Sequence, residues 1–310
     1  MDCIMVTGGA GWLGSHLVQA LNKVEAKIVV YDNLKEATAK DLIQGRAEMV
    51  NGDILDFALL TDTVRRYRVN KIVHAAAIVG TPASFAQPAL TIRVNIEGTI
   101  NVLEVMKNER VMLGVNISTE ETYGEFQYEP AGEDHPLKPA SLYGITKVAV
   151  EQIADYYYRL YKVNMISARA SWLYGPRLHR LRPPQNFIEN ALQGKKTIVA
   201  CGGDQRIDYT YITDFTDGLI SILNKVNLPY RVYNISSGRA YNLYEMARIM
   251  EEVVPGSEFE IGPGLIHFSE DFPAPQKGAL NIERARRDLG FSPKFDLREG
   301  LRQNIKEVQS

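Results

Sequence analysis

Short apolar segments alternate with longer amphipathic segments along the first 170 residues of the chain. The apolar segments have the length of strands, are rich in Val and Ile, and read CIMVTG, KIVVYD, AEMVNGD, KIVHAAA, MLGVNIS and NMISARA. The amphipathic segments are long enough for crossover helices and cover residues 13–23, 57–67, 92–107 and 143–161. This alternation predicts an α/β fold with a Rossmann-type, doubly wound parallel sheet.

The pattern changes after Tyr174, where the stretch GPRLHRLRPP is rich in Gly, Pro and Arg and the later segments become short. Residues 186–193 and 214–225 predict helices, and residues 231–235 predict a strand that returns the chain to the sheet. We therefore predict a smaller, discontinuous C-terminal lobe that binds substrate. The predicted division is a Rossmann domain of residues 1–172 plus about 213–238 and a substrate lobe of about 173–212 plus 239–310.

Composition narrows the expected partners and location. The chain has 310 residues and a formal net charge of −2, so it has no bulk positive charge that would hold a nucleic acid or an anionic membrane. No stretch reads as a signal peptide or as a membrane span of about 20 apolar residues. Cys3 and Cys201 suit neither a disulfide framework nor a metal site. We expect a cytoplasmic protein with no metal, nucleic acid or membrane partner.

A glycine pattern follows the first predicted strand. Gly8, Gly11 and Gly14 form G-x-x-G-x-x-G between the segment CIMVT and a predicted helix. In this context the first glycine permits a tight turn, the second admits a pyrophosphate close to the backbone, and the third lets helix and strand pack closely. The pattern predicts a dinucleotide site, and the alternative is a turn that is merely tight.

Acidic residues at the next strand ends favour NAD over NADP. Asp32 ends the second strand, where a carboxylate accepts hydrogen bonds from an adenosine ribose and repels a 2′-phosphate. Asn33, rather than an arginine, follows it. Asp53 and Ile54 end the third strand and are candidates to hold the adenine. A solvated Asp at each position is the alternative interpretation.

Tyr143 and Lys147 lie four residues apart, so both project from one face of a predicted helix. Ser118 and Thr119 lie at the end of the fifth strand, where a hydroxyl, a phenol and an ammonium can converge. A nearby ammonium favours the phenolate form of a tyrosine, which makes it a usable base. This set predicts the oxidation of an alcohol, whereas a surface Tyr and a solvated Lys are the alternative.

The chain resembles the extended short-chain dehydrogenase/reductase superfamily and, within it, the NAD-dependent sugar epimerase/dehydratase family. The resemblance runs nearly from end to end. Its motifs in this chain are TGGAGWLGSHL, YDN, NGDILD, HAAAIVG, VNIEGTINVLE, STEETYG, SLYGITK, YGPR, DQRIDYTYITD and RARRDLGFSPKFDLREGL.

The resemblance implies a tightly held NAD that is reduced and reoxidised within one turnover. It implies that Tyr143 is the base, that Lys147 binds the nicotinamide ribose, and that Thr119 bonds the reacting hydroxyl. Asn95 would belong to the helix that supports this site. The resemblance also implies a homodimer through a four-helix contact of residues 92–107 and 143–161. Further residues that it assigns are Trp12, Leu13, Ala75, Ala76 and Ala77 to the cofactor, and Val79 and Asn186 to the substrate.

Two carboxylates follow the threonine in the motif STEETYG, which resembles the S-T-D-E-x-Y-G of sugar-nucleotide 4,6-dehydratases. The resemblance places Glu121 at the base position and Glu120 at the acid position, although Glu120 is one methylene longer than the usual Asp. Oxidation of a carbinol acidifies the neighbouring C–H, so such a pair permits elimination, 5-epimerisation or decarboxylation. Two solvated glutamates remain the alternative.

The predicted substrate lobe departs from the family pattern. Trp172 replaces the Asn of R-x-x-N-x-Y-G-P, and DFPAPQKGA replaces the Arg-Pro-Gly-Asp stretch. Arg206 matches an arginine that holds substrate phosphates in the family. Further positive charge comes from Arg177, Arg180 and Arg182, for which ordinary surface charge is the alternative. We expect an anionic sugar substrate, with or without a nucleotide.

Three hypotheses follow. The first is a redox-neutral sugar epimerase/dehydratase, acting on a nucleotide sugar through a transient ketone. The second is an NAD-dependent dehydrogenase of a sugar acid or small polyol that releases NADH, which Trp172 and the missing Arg-Pro-Gly-Asp favour. The third is a dinucleotide sensor without catalysis, against which the set Tyr143, Lys147 and Thr119 argues.

Overall fold

A computed structural model describes residues 1–37, 40–43, 45, 47–179, 182–225, 227–269 and 272–309. Over this part of the chain, no helix combines the length and the apolar character that crossing a bilayer requires.

Strands and helices alternate through most of the chain. The strands are β1 (Asp2–Thr7), β2 (Ala26–Asp32), β3 (Ala47–Asn51), β4 (Lys71–His74), β5 (Leu113–Thr119), β6 (Met165–Ala170), β7 (Trp172–Tyr174), β8 (Thr197–Val199), β9 (Ile207–Tyr211), β10 (Val232–Ile235), β11 (Ala240–Tyr241), β12 (Phe259–Ile261), β13 (His267–Ser269) and β14 (Phe272–Pro273).

The α-helices are α1 (Trp12–Leu21), α2 (Phe57–Tyr67), α3 (Thr81–Ala86), α4 (Pro88–Ile92), α5 (Gly98–Asn108), α6 (Leu142–Tyr161), α7 (Gln185–Leu192), α8 (Ile212–Leu223), α9 (Leu243–Val253), α10 (Glu283–Leu289) and α11 (Leu297–Gln309). A π-helical turn, Arg93–Glu97, joins α4 to α5, and single 3₁₀ turns cover Lys40–Ile43 and Glu120–Thr122.

Seven parallel strands form the large sheet in the order β10-β6-β5-β4-β1-β2-β3. The sheet confirms the predicted Rossmann-type, doubly wound fold. The chain builds outward from β1 to β3 and then returns to the other side of β1 with β4. The strand order therefore reverses between β1 and β4, which is where dinucleotides bind in sheets of this type.

Helices cover both faces of this sheet. Alternate residues of the central strands divide between two apolar clusters, so that Val6 and Val30 pack on one face and Met5 and Val29 on the other. The first cluster includes residues of α1 and α8, and the second includes residues of α2 and α5. Burial on both faces explains why the strand segments are continuously apolar.

The later part of the chain forms three small sheets, which are β11-β9-β7, β12-β8 and β13-β14. A third cluster, with Phe187, Tyr209 and Met246 at its centre, packs α7, α9 and α11 together. Ala285 and Leu289 of α10, however, belong to the cluster under the large sheet, although the sequence places this segment in the substrate lobe. The division into two lobes stays a prediction.

Candidate active site

The turn between β1 and α1 requires glycine at two of its three predicted positions. Gly8 has φ +67°, and a Cβ there would lie 2.7 Å from the backbone nitrogen of Ala76. A Cβ on Gly14 would lie 2.2 Å from the carbonyl oxygen of Gly8, so α1 packs directly on the turn. Gly11 is less confined, because its Cβ would lie 3.3 Å from the same oxygen. Glycine thus lets the turn pack tightly against the N-terminus of α1, the kind of position where a pyrophosphate can bind.

Asp32 is fixed beside this turn at the end of β2. Its Oδ2 accepts a hydrogen bond of 3.0 Å from the Ala10 N–H, and its Oδ1 accepts one of 2.7 Å from the Leu34 N–H. Asn33 points elsewhere, since its amide donates to Asp53 Oδ2 at 3.1 Å. The carboxylate of Asp32 is therefore oriented by backbone donors and suits a ribose hydroxyl.

The other residues predicted to bind the cofactor lie in the glycine turn or in segments that follow strands of the large sheet. The Trp12 indole donates to Pro176 O at 2.8 Å, which links the glycine turn to the YGPR motif. Leu13 is partly buried against the large-sheet core, as is Ala75, and Ala76 forms the wall behind Gly8. Ile54 is buried against Gly98 of α5. Ala77, at the end of the same segment, is partly exposed.

Asn95 lies in the π-helical turn and joins two parts of the site. Its Oδ1 accepts from the Ile78 N–H at 2.8 Å, and its Nδ2 donates to Ile78 O and to Thr146 Oγ1, both at 3.1 Å. Because Thr146 is in α6, Asn95 ties the loop after β4 to the helix that carries Tyr143 and Lys147. Val79, the next residue of that loop, is exposed.

The Tyr143/Lys147 pair begins α6, whose first turn is capped by Ser141 accepting from the Gly144 N–H at 3.1 Å. Both side chains are buried, and Lys147 Nζ lies 5.8 Å from the centre of the Tyr143 ring. The ammonium donates to Ile117 O of β5 at 2.7 Å. Burial lowers the pKa of Lys147 to about 8, although Glu151 opposes this shift. The charged form thus remains the main one at pH 7.

The strand β5 places its last two hydroxyls on opposite faces, as expected for neighbouring residues of a strand. Thr119 Oγ1 faces the 3₁₀ turn and accepts from the Glu121 N–H at 3.2 Å. Ser118 instead donates to Glu151 at 2.5 Å, and Glu151 forms a buried ion pair with Arg169 at 2.6 Å. Ser118 is thus engaged in a buried network on the other side of the strand, and a catalytic role for it stays a prediction.

Glu121 lies next to α6. A Cβ on Gly144 would be 2.6 Å from Glu121 O, so the start of α6 packs against this residue. Lys277 Nζ lies 3.6 Å from Glu121 Oε1 and also donates to Glu120 O at 3.3 Å. Within the described part of the chain, Glu121 Oε2 is buried without a hydrogen-bond partner. We refer to Glu120, Glu121 and Lys277 as the charge cluster.

Glu120 lies deeper than Glu121. Only 1% of it is exposed, and its Oε2 accepts from the Ser171 hydroxyl at 2.8 Å. Burial raises its pKa to about 7, although Lys277 opposes this, so the acid and its anion coexist at neutral pH. The predicted acid therefore has a suitable protonation state, but its carboxyl is enclosed by protein.

The candidate substrate residues are spread over the later part of the chain. Trp172 stacks with the guanidinium of Arg182, whose carbon lies 4.6 Å from the ring centre. Arg206 pairs with Glu129 at 3.0 Å. Asn186 is the second residue of α7, and its Oδ1 accepts from the Phe187 N–H at 3.1 Å. Arg177 has a backbone φ of +62°, and Arg180 lies outside the described residues.

Lys277 is the residue that sequence reasoning missed. It lies in the stretch DFPAPQKGA, which we treated only as a departure from the family pattern. It follows Glu120 by 157 residues, and its side chain is 4% exposed. The only signal in the sequence was one charged residue within a run of Pro, Ala and Gly.

The site suits NAD. The tight glycine turn at the N-terminus of α1 and the oriented carboxylate of Asp32 match a pyrophosphate and an adenosine ribose. Among the described residues, no group of three or more His, Cys, Asp or Glu could hold a metal ion.

A dinucleotide cradle next to a buried Tyr/Lys pair is the arrangement of a short-chain dehydrogenase/reductase of the extended type. The model of the NAD dependent epimerase/dehydratase family matches residues 4–236, and the chain belongs to this family. Its cofactor is therefore NAD.

The chain is similar to a decarboxylase, an epimerase and a dehydratase that are named for nucleotide sugars. UDP-glucuronic acid decarboxylase 1 of Xenopus tropicalis is 29% identical, over 97% of this chain and 71% of the relative. The crystal structure of a Thermotoga maritima UDP-glucose 4-epimerase with UDP-glucose has a TM-score of 0.89 at 25% identity. The match covers 99% of this chain and 98% of the epimerase chain. The structure of dTDP-glucose 4,6-dehydratase from Bacillus anthracis in complex with NAD has a TM-score of 0.87 at 26% identity. The match covers 100% of this chain and 97% of the dehydratase chain.

Proposed function

We propose that this enzyme converts a nucleotide sugar through a transient ketone, with no net oxidation or reduction. Bound NAD would accept a hydride from the sugar and return it within the same turnover. The support for a nucleotide sugar is that the similar proteins are named for reactions of UDP-glucose, UDP-glucuronic acid and dTDP-glucose.

The residues around Tyr143 would carry the first proton transfer. Tyr143 accepts the proton of the sugar hydroxyl, while Thr119 orients that hydroxyl by a hydrogen bond. The ammonium of Lys147, held by Ile117 O, stabilises the phenolate and binds the nicotinamide ribose. Asn95 keeps α6 in register with the loop after β4, so that these groups stay aligned.

The observation that carries the proposal is Glu121 beside Lys277. A simple hydride cycle needs only Thr119, Tyr143 and Lys147, whereas Glu121 adds a carboxylate whose charge is balanced by a buried ammonium. Once the sugar is a ketone, Glu121 can remove the proton from the carbon next to it, leaving an enolate. Transfer of that proton to the hydroxyl on the next carbon would expel water, and return of the hydride to that carbon with a solvent proton to its neighbour would complete a dehydration. Reprotonation of the enolate by solvent from the other side, followed by return of the hydride to the carbonyl, would complete an epimerisation.

The role of Glu120 would be indirect. Because its carboxyl is enclosed, we assign Glu120 a positioning role, in which its backbone carbonyl accepts from Lys277 and helps to hold this ammonium near Glu121. Protonated Glu120 also leaves the ammonium of Lys277 with one anionic partner rather than two.

The test is to identify bound cofactor and to follow NADH during turnover. The supernatant of the denatured protein is analysed for NAD by mass spectrometry, and the native protein is incubated with UDP-glucose, UDP-glucuronic acid, dTDP-glucose and free sugar acids. Co-purified NAD, a converted nucleotide sugar and no net NADH are the expected results. Stoichiometric NADH that accumulates only with a free sugar acid would replace the proposal with the dehydrogenase hypothesis.

We further propose a homodimer in the cytoplasm. Apolar side chains are exposed on the helices expected to pair, including Ile92 of α4 and Ile145, Tyr156 and Leu160 of α6. Their burial between two copies would form a four-helix contact. Sedimentation at the mass of one chain over micromolar concentrations would contradict the dimer.

A further inference from the structure

Glu151 is a buried carboxylate that the proposed chemistry does not use. It lies four residues after Lys147 on α6, so the two side chains lie one turn apart on the same face of the helix. Its side chain is only 4% exposed. Burial of a carboxylate is costly unless charged or polar groups surround it, so its partners indicate what it does in the fold.

Donors from two neighbouring strands satisfy this carboxylate. Its Oε1 accepts from the Ser118 hydroxyl at 2.5 Å and from Arg169 Nε at 3.0 Å, and its Oε2 accepts from Arg169 Nη2 at 2.6 Å. Ser118 of β5 and Arg169 of β6 are partners in the register of the sheet. The third nitrogen of the guanidinium, Nη1, donates to Glu133 O at 3.1 Å. The carboxylate of Glu151 thus ties α6 to the last turns of two strands.

These contacts reach Lys147 through a single peptide group. The Lys147 ammonium donates to Ile117 O at 2.7 Å, and this carbonyl belongs to the same peptide group as Ser118 N. By holding Ser118, Glu151 therefore also holds the acceptor of Lys147. Thr119, which we expect to orient the substrate hydroxyl, is the next residue of the same strand.

The charge of Glu151 acts on the same ammonium. Burial lowers the pKa of Lys147 to about 8, and Glu151 opposes this shift. Two further groups face the ammonium: Tyr143 from α6, and His74 from β4, which is neutral at pH 7 because burial and Lys147 lower its pKa to about 3. Arg169 of β6 is a cation, so it cannot take the place of Glu151.

Other carboxylates near α6 have partners of their own. These pairs are Glu120 with Ser171, Glu121 with Lys277, Glu133 with Arg284, Glu97 with Arg93 in the π-helical turn, and Glu104 with Lys107 in α5. Helices α3 and α4, which also pack on α6, carry no titratable side chain. Among the described residues, Glu151 is therefore the carboxylate that supports Lys147.

We propose that Glu151 is a positioning residue of the active site, which fixes Ile117 O through Ser118 and keeps a negative charge one helical turn from the Lys147 ammonium. This inference rests on the proposed function, because it takes Lys147 to act as an ammonium beside Tyr143. In this role Glu151 acts through Lys147 and does not itself touch the sugar.

Titration of the Lys147 ammonium in the NAD-containing protein tests this inference. The lysines are labelled with ¹³C at Cε, whose chemical shift reports the loss of the ammonium proton, and the Lys147 signal is identified by its absence from Lys147→Arg. Glu151→Gln keeps an oxygen for Ser118 but removes the charge. Since an opposite charge within about 4–6 Å shifts a pKa by about 1–3 units, we expect the midpoint to fall by about 1 pH unit, the lower end of this range.

A second variant removes the charge without leaving a buried cation. Glu151→Gln alone leaves Arg169 without its anionic partner, which is costly for folding. Glu151→Gln combined with Arg169→Met replaces the whole ion pair by uncharged side chains, and such replacements are often neutral or stabilising. The Lys147 midpoint should fall in this double variant as well, by less than in the single variant because the cation is also gone.

Two matched controls separate this role from a general loss of packing. Glu151→Asp keeps the charge at the same position and should leave the Lys147 midpoint near that of the wild type. Glu133→Gln alters another buried carboxyl group, which is 5% exposed and pairs with Arg284, and should lower stability without moving the midpoint.

An unchanged midpoint in both variants that lack the Glu151 charge would overturn the inference. An equal fall in Glu151→Asp or in Glu133→Gln would overturn it too, because the effect would then follow from any disturbance of this network. The titration needs no substrate, so these results are distinct from failure of the proposed chemistry, which is read as the absence of a converted nucleotide sugar.

Discussion

The glycine turn and the charge cluster both follow strands of the large sheet, but they are built in different ways. The glycine turn is made from residues within one strand-turn-helix unit. Its residue types are dictated by close backbone packing, since a Cβ on Gly14 would lie only 2.2 Å from Gly8 O. The charge cluster joins two neighbouring glutamates to a lysine 157 residues further along the chain. Local sterics therefore fix the predicted cofactor turn, whereas long-range packing assembles the residues that we propose for the later chemistry.

The largest expected effect comes from removing the proton-transfer group while the glycine turn stays intact. Tyr143→Phe should lower turnover by about 10²–10⁴-fold, the usual contribution of a positioned proton-transfer group. The NAD content of the purified protein and its unfolding temperature should stay near those of the wild type. Unchanged turnover would show that Tyr143 is not the base, and loss of NAD would show that the two regions are not separable.

The second effect is on the glycine turn itself. Gly14→Ala places a methyl group against the Gly8 carbonyl oxygen, so the free energy of unfolding should fall by about 1–3 kcal/mol, as for other overpacked sites. NAD content should fall with it. Gly11→Ala is the matched control, because its methyl group would lie 3.3 Å from the same oxygen. Equal losses of stability in both variants in thermal unfolding would argue against the steric explanation.

The third effect concerns the charge cluster and pH. The pKa of Glu120 is raised to about 7, mainly by burial, so the folded protein binds its proton more tightly than the unfolded chain. Stability from this group is present at low pH and is lost as the pH rises through about 7. Glu120→Gln has no such loss, so its stability relative to the wild type should increase between pH 5 and 8, by up to about 3 kcal/mol.

The measurement is thermal unfolding of both proteins across this pH range. Glu125→Gln, at an exposed position, should run parallel to the wild type throughout. If Glu120→Gln also runs parallel, then Glu120 is ionised over the whole range and its burial is compensated more fully than the contacts indicate.

The sequence predicted local features well. The helix expected over residues 57–67 is observed as Phe57–Tyr67, and the strands of the large sheet lie where the apolar segments predicted them. The helix expected from residue 92 begins earlier, since Pro88 suits the first turn of a helix and the π-helical turn inserts one wide turn before Gly98. The spacing of apolar residues alone does not predict a π-helical turn.

Long-range partners were not predictable in the same way. The sequence predicted a phosphate-binding role for Arg206, which stays a prediction, but it gave no sign of its partner Glu129, because nothing in the local sequence pairs residues 77 positions apart. The same holds for Lys277, whose position depends on how the later segment folds back on the loop after β5. Pairing of this kind is a property of the packed chain and has no local periodicity.

The distance in sequence between Lys277 and its partners has a consequence for synthesis of the chain on the ribosome. The seventh strand of the large sheet ends at Ile235, so the nucleotide cradle can assemble before Lys277 has left the exit tunnel. The ammonium that balances Glu121 arrives only with the final part of the polypeptide. A nascent chain of this enzyme would therefore acquire the capacity to capture its dinucleotide before it acquires a complete set of reacting groups.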